Sequence, residues 1–244
     1  MFMYNNLMHF PVNTIHWYIG LPFAAFIGAR GIIQYRKDGS KLNEYIGLTG
    51  LIYSLCFMAY GIPALITVNS NILTVSTIIG DILQFIALFF MWLAVVRVYA
   101  AKKPFLRGVI LTLVALLFVA SVYLSLKTNL ANPVTLVQLA DGSWNINFAF
   151  SGLYSIVTGL QYVSFLLLSA FFASQARFSS DKFKKVRIYS ISILLFLVGA
   201  VYVIQPALSA SQNFKSVTVL LAASLAVAGI FIAATLLLGE RKNK

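Results

Sequence analysis

Long apolar runs alternate along this chain with short basic clusters, and that alternation limits the folds open to it more than any other feature. Of 18 lysines and arginines, 16 fall in four groups: Arg30, Arg36, Lys37 and Lys41; Arg97, Lys102, Lys103 and Arg107; Arg177, Lys182, Lys184, Lys185 and Arg187; and Arg241, Lys242 and Lys244. Only Lys127 and Lys215 lie elsewhere. Seven apolar runs separate the groups, at 15–35, 45–66, 72–100, 108–126, 148–174, 188–208 and 217–238. Each is long enough to cross a hydrocarbon layer of about 30 Å, which takes about 20 helical residues. Lys and Arg are retained in cytoplasmic loops during insertion, so all four groups belong on the inner side. The fold class expected is therefore an all-α integral membrane protein. It has seven transmembrane helices, an external amino terminus and a cytoplasmic carboxyl terminus in the plasma (inner) membrane.

Composition narrows the function classes. The chain of 244 residues is 60% hydrophobic and 10% charged, with mean hydropathy +0.89, outside the range of soluble domains. A net charge of +12 would suggest nucleic acid in a soluble protein. Here the cations stand at span ends, where they reach anionic headgroups, so the lipid bilayer is the expected partner and nucleic acid is not. Residues 1–13 lack the pattern of a cleaved signal peptide. No polar stretch is long enough for a separate soluble domain, so 1–244 reads as one seven-helix membrane domain.

Short connections predict antiparallel neighbours, with one exception between helices four and five. There 134–139 and 144–148 alternate apolar and polar residues around Ala140, Asp141, Gly142 and Ser143, which predicts an external β-hairpin. Trp17, Tyr18 and Tyr99 fall at span ends and Trp144 in the outer loop, where amphipathic rings anchor at headgroup level.

An offset of 143 positions places Asp38 on Asp181, Lys41 on Lys184, and Pro63, Ala64 and Leu65 on Pro206, Ala207 and Leu208. The pattern is a candidate 3+1+3 parallel repeat, with halves 1–100 and 148–238 joined by a linker helix at 108–126. Pro63 and Pro206 are its candidate hinges, since a missing backbone hydrogen bond permits bending. In layout the chain resembles the 3+1+3 sugar transporters of the SWEET group, which implies two half-bundles rocking about a central site. It departs from them in having no proline-glutamine pair in helix one or five; Gln205 and Pro206 stand in reversed order in helix six. The layout also resembles seven-helix receptors and microbial rhodopsins. Helix seven has no central lysine for a retinal Schiff base, Lys215 being at its outer edge.

Asp81 is the one acid placed well inside a span, roughly 13 Å below the outer boundary at 1.5 Å per residue. An ionised carboxylate there costs at least about 2.5 kcal/mol, so it must face the bundle interior, carry a proton or meet a partner. Gln84 shares its helix face. Gln161, Ser164 and Ser224 are polar residues at comparable depth, and Gln205 lies nearer the outer mouth. Together these form a candidate solute or ion site, opening outward beneath the hairpin. The plainer alternative is an interhelical hydrogen bond that only fixes packing. Ala222, Ala226, Gly229 and Ala233 give helix seven a small-residue packing stripe.

Catalysis is not expected. His9 and His16 lack the helical partners of a metal or haem site, Cys56 is the only cysteine, and no phosphate loop or nucleophile elbow is present. No cofactor is implied. The sequence thus points to a small-solute transporter or permease with a midplane site around Asp81. The alternatives are a ligand-sensing seven-helix protein that signals through a separate partner, and a structural accessory subunit of a membrane complex. The partner of a sensor would be a membrane or cytoplasmic protein docking on the basic inner loops, chiefly 177–187.

Overall fold

The computed structural model describes residues 9–99, 103–139, 142–148, 152–178, 180, 182–208, 222–224, 226–230 and 234. A 3-10 turn, Val12–Thr14, leads into α1 (Ile15–Asp38), α2 (Lys41–Ile66), α3 (Ser70–Tyr99) and α4 (Pro104–Ala131). Strands β1 (Thr135–Gln138) and β2 (Trp144–Asn147) follow, then α5 (Gly152–Arg177) and α6 (Lys182–Leu208). Residues 222–224, 226–230 and 234 are also helical. The expected seventh span, Lys215, Ala233 and the basic tail otherwise lie outside the described residues.

Local chemistry sets the helix ends. Gly39 adopts a left-handed φ of 64° and returns its N–H to the Tyr35 carbonyl, which closes α1 without a Cβ penalty. The Asp38 carboxylate then accepts the Ser40 N–H at 2.8 Å and the Asn43 amide at 2.7 Å, fixing the turn into α2. Asn69 starts α3 by accepting the N–H groups of Asn71 and Ile72. Pro104 stands in the first turn of α4, where its missing N–H costs nothing. Pro63 lies three residues before the end of α2, and the Thr67 N–H returns to its carbonyl.

Each helix packs on its sequence neighbour, so the chain runs up and down. Consequently Arg36, Lys37, Lys41, Arg97, Lys103, Arg107, Arg177 and Lys182 collect at one end of the bundle. The hairpin occupies the other end. It is antiparallel, with Thr135 opposite Asn147 and Gln138 opposite Trp144, and Gly142 supplies a positive φ of 78° in its turn. The hairpin expected from alternation is therefore present. Trp17 does not anchor at a surface as the sequence suggested: it is 5% exposed and stacks on Tyr60 inside the bundle. Tyr18 gives its hydroxyl to the Gly61 carbonyl at 3.0 Å.

Among the described residues, three helices are long and apolar enough to cross a membrane, over Lys41–Ile66, Ser70–Arg97 and Pro104–Ala131. The polarity of α4 is inverted relative to a helix on a water-soluble protein. Its buried residues are Ser121, Ser125 and Asn129. Leu113, Leu116, Val119, Tyr123 and Leu130, by contrast, are 61% to 65% exposed. An apolar face turned outward and a polar face turned inward suit an apolar solvent.

The α1–α2 crossing is close because it has almost no side chains in it. A Cβ added at Gly28 would lie 2.5 Å from the Leu51 nitrogen, and one at Gly50 would lie 2.5 Å from the Gly28 nitrogen. Gly31 and Gly47 meet in the same way one turn further along. At α5–α6 the contact is polar instead: Ser169 and Ser192 each donate to the other's carbonyl at 2.8 Å.

Candidate functional site

Thr74, Thr77, Asp81 and Gln84 recur at helical spacing and form one buried polar face of α3. With α3 beginning at Ser70, Asp81 sits roughly 16 Å along its axis. Ser121, Ser125 and Asn129 form the facing edge of α4 at four-residue intervals, none more than 2% exposed. Tyr60 of α2 completes the group. Its hydroxyl donates to Asp81 Oδ1, and the Ser125 hydroxyl donates to Oδ2. The Asn129 amide reaches Oδ2 at 3.4 Å and Ser125 Oγ at 3.2 Å. Tyr60 Oη also lies 3.4 Å from Gln84 Oε1, so its one proton has two acceptors in reach.

Glycine makes this geometry available. A Cβ at Gly80 would lie 2.7 Å from the Tyr60 ring, so a larger residue beside Asp81 would displace the ring. Trp17 stacks on the same ring at 4.7 Å. A buried carboxylate supplied with donors on both oxygens is far cheaper to hold than a bare one, and each hydroxyl partner can accept a proton as well as donate one. The arrangement can therefore hold a charge or a proton between α2, α3 and α4 and pass a proton among hydroxyls.

Beside this group, on the hairpin side, lies an apolar cluster. Trp17, Cys56, Tyr60, Ala64, Leu73, Val134 and Ile146 form one buried cluster. The start of β1 is fastened to α3 by the Val134 N–H on Thr74 Oγ1 at 2.8 Å and by Ser70 Oγ on the Val134 carbonyl at 2.7 Å. The sequence suggested a polar cavity opening beneath the hairpin; the described residues there include the apolar cluster that contains Trp17 and Tyr60. A cavity of about 150 Å³ lies elsewhere, bounded by α1, α2, α3, α5 and α6. Phe23, Phe57, Met91, Phe165, Leu195 and Val198 contribute to its wall. Gln84 belongs to both regions, lining the cavity and accepting from Tyr60 at Oε1.

Of the residues singled out in the sequence, Asp81 and Gln84 come together. Ser164 is buried but directs its hydroxyl to the Leu160 carbonyl of its own helix at 3.3 Å. Gln161 lies on α5 and Gln205 and Pro206 lie on α6, with side chains outside the described residues. Ser224 lies in the helical segment 222–224 and is half-buried. Tyr60, Ser125 and Asn129, the carboxyl's partners, were not assigned to it from the sequence. The signal for Ser125 and Asn129 was the four-residue spacing of polar residues along the largely apolar α4; Tyr60, on α2, had none. Among the described residues no three His, Cys, Asp or Glu side chains converge as a metal would require.

No protein-family model matches the chain, and neither does any curated protein.

Proposed function

We propose that the chain is a seven-span membrane protein, amino terminus outside and carboxyl terminus cytoplasmic. In this reading it acts as a small-solute transporter or permease whose site centres on Asp81, with the carboxyl gaining and losing a proton during the cycle. The observation that carries this reading is the buried carboxyl bridging α2, α3 and α4 through Tyr60, Ser125 and Asn129. Protonating Asp81 converts one acceptor oxygen into a donor, so at least one of these contacts must break or reverse, and the helices holding them are released to shift. The inverted polarity of α4 supports lipid as the solvent. The collection of cations at one bundle end supports the orientation.

Solute uptake into proteoliposomes with and without a pH gradient tests the reading, comparing the wild type with Asp81→Asn and Tyr60→Phe. Gradient-driven uptake abolished by Asp81→Asn and slowed by Tyr60→Phe is the expected result. Uptake indifferent to Asp81→Asn removes the mechanism.

A second reading, ligand sensing through a separate partner at the basic end around 177–187, is favoured by the apolar cavity. Co-purification of a signalling protein, lost on neutralising Arg177 and Lys182, would distinguish it.

A further inference from the structure

We infer that the cavity between α1, α2, α3, α5 and α6 is a binding site for an uncharged, ring-sized apolar molecule bearing one hydrogen-bond acceptor, and that Gln84 orients it. Three observations lead there. The volume, about 150 Å³, is that of a buried apolar void known to stay dry and to accept a single benzene ring. Phe23, Tyr53, Phe57, Phe165 and Phe172 stand in its wall and offer ring faces and edges, and no Lys, Arg, Asp or Glu is among the described residues lining it. A charged guest would lose its hydration without a counter-ion; an aromatic one loses little.

The third observation fixes the polar end. Gln84 is 4% exposed, lines the cavity, and receives its one described hydrogen bond at Oε1, from Tyr60. Its Nε2 has no described hydrogen-bond partner, which leaves the amide N–H of a cavity-lining residue able to meet a guest. Of the other polar side chains in the wall, Thr49 is already committed to the Tyr45 and Ala87 carbonyls, and His16 and Tyr53 have interactions of their own. A guest with one acceptor oxygen satisfies Gln84 and fills the void at once.

A molecule of this class dissolves in lipid and crosses it unaided, so the site serves detection or regulation and does not depend on whether Asp81 moves a solute. Gln84 also gives it a route of influence. The Tyr60 proton lies within reach of both Gln84 and Asp81, so turning the carboxamide toward a guest alters what Tyr60 offers the carboxyl.

The test is equilibrium binding to the full chain in lipid nanodiscs, with partition into empty discs subtracted. The probes are anisole, ethylbenzene and benzoate. Saturable binding of anisole, about fivefold tighter than ethylbenzene for one added hydrogen bond, is expected, with none of benzoate. Gln84→Leu should erase the anisole preference while keeping ethylbenzene binding, and Val198→Phe should weaken both at least about tenfold by filling the void. Infrared difference spectra should show the Asp81 carboxyl signal moving on anisole addition in the wild type and not in Gln84→Leu. Binding no greater than the lipid background, or equal for the three probes in all variants, overturns the site. A preference for anisole that survives Gln84→Leu overturns the role of Gln84. An Asp81 signal that ignores the ligand overturns the coupling.

Discussion

The α1–α2 seam and the α3–α4 seam hold adjacent helices by opposite means. At the first, Gly28, Gly31, Gly47 and Gly50 let two backbones touch, and nothing at the contact titrates. At the second, Asp81 and its hydroxyl and amide partners fill the gap with hydrogen bonds. A seam made of shape has one arrangement. In the proposed cycle, a seam made of hydrogen bonds around a carboxyl has at least two, and a proton on Asp81 selects between them. The fixed and the adjustable parts of the bundle thus lie on either side of α2, and Tyr60 connects them.

Breaking the shape-defined seam should have the largest effect. Gly50→Val places a branched side chain where a Cβ alone would lie 2.5 Å from backbone. A loss of more than ~3 kcal/mol, read as collapse of folded yield in detergent, is expected. Removing the polar seam comes next. Asp81→Leu strands the Tyr60, Ser125 and Asn129 donors and should cost ~2–3 kcal/mol in thermal unfolding, whereas Asp81→Asn should cost about half as much. If the leucine variant proved as stable as wild type, the carboxyl would not be a structural joint.

Ser169 and Ser192 provide a smaller copy of the polar seam with no charge in it. Ser169→Ala should cost about 0.6 kcal/mol, near the usual value for hydrogen bonds between membrane helices, and a double-mutant cycle with Ser192→Ala should show coupling.

The smallest effect belongs to the turn that closes the glycine seam. Backbone hydrogen bonding from Ser40, with help from Gln34 and Asn43, holds the exposed Asp38 carboxyl below its usual range. Its contribution is therefore present above the unfolded carboxylate range and fades as pH falls through the lowered folded value. The protection factor of the Ser40 amide, with the intrinsic pH dependence of exchange divided out, should fall below that point in wild type and stay level with pH in Asp38→Asn.

Sequence patterning located the helices but understated them. Hydropathy put the fourth at 108–126, whereas it runs Pro104–Ala131, because helices continue past their apolar middle until a cap or a proline stops them. The hairpin was legible because alternation and a turn glycine are local signals. Asp81 and Gln84 stood out as polar residues in an apolar run. Ser125 did not, since a serine among leucines reads as filler until the opposing acid is known. The four seam glycines carry no chemistry of their own, and their meaning depends on a partner helix. The cavity left no mark on the sequence at all, being a property of how five helices fail to fill a volume.

Cys56 is the chain's single thiol, and at 1% exposure it is sealed against reagents that arrive through water. A reporter cysteine placed at Lys127 beside the hairpin, or at Lys103 at the cationic end, can therefore be tagged with a membrane-impermeant maleimide against a silent native background. Whole cells then reveal directly which face each end presents to the medium.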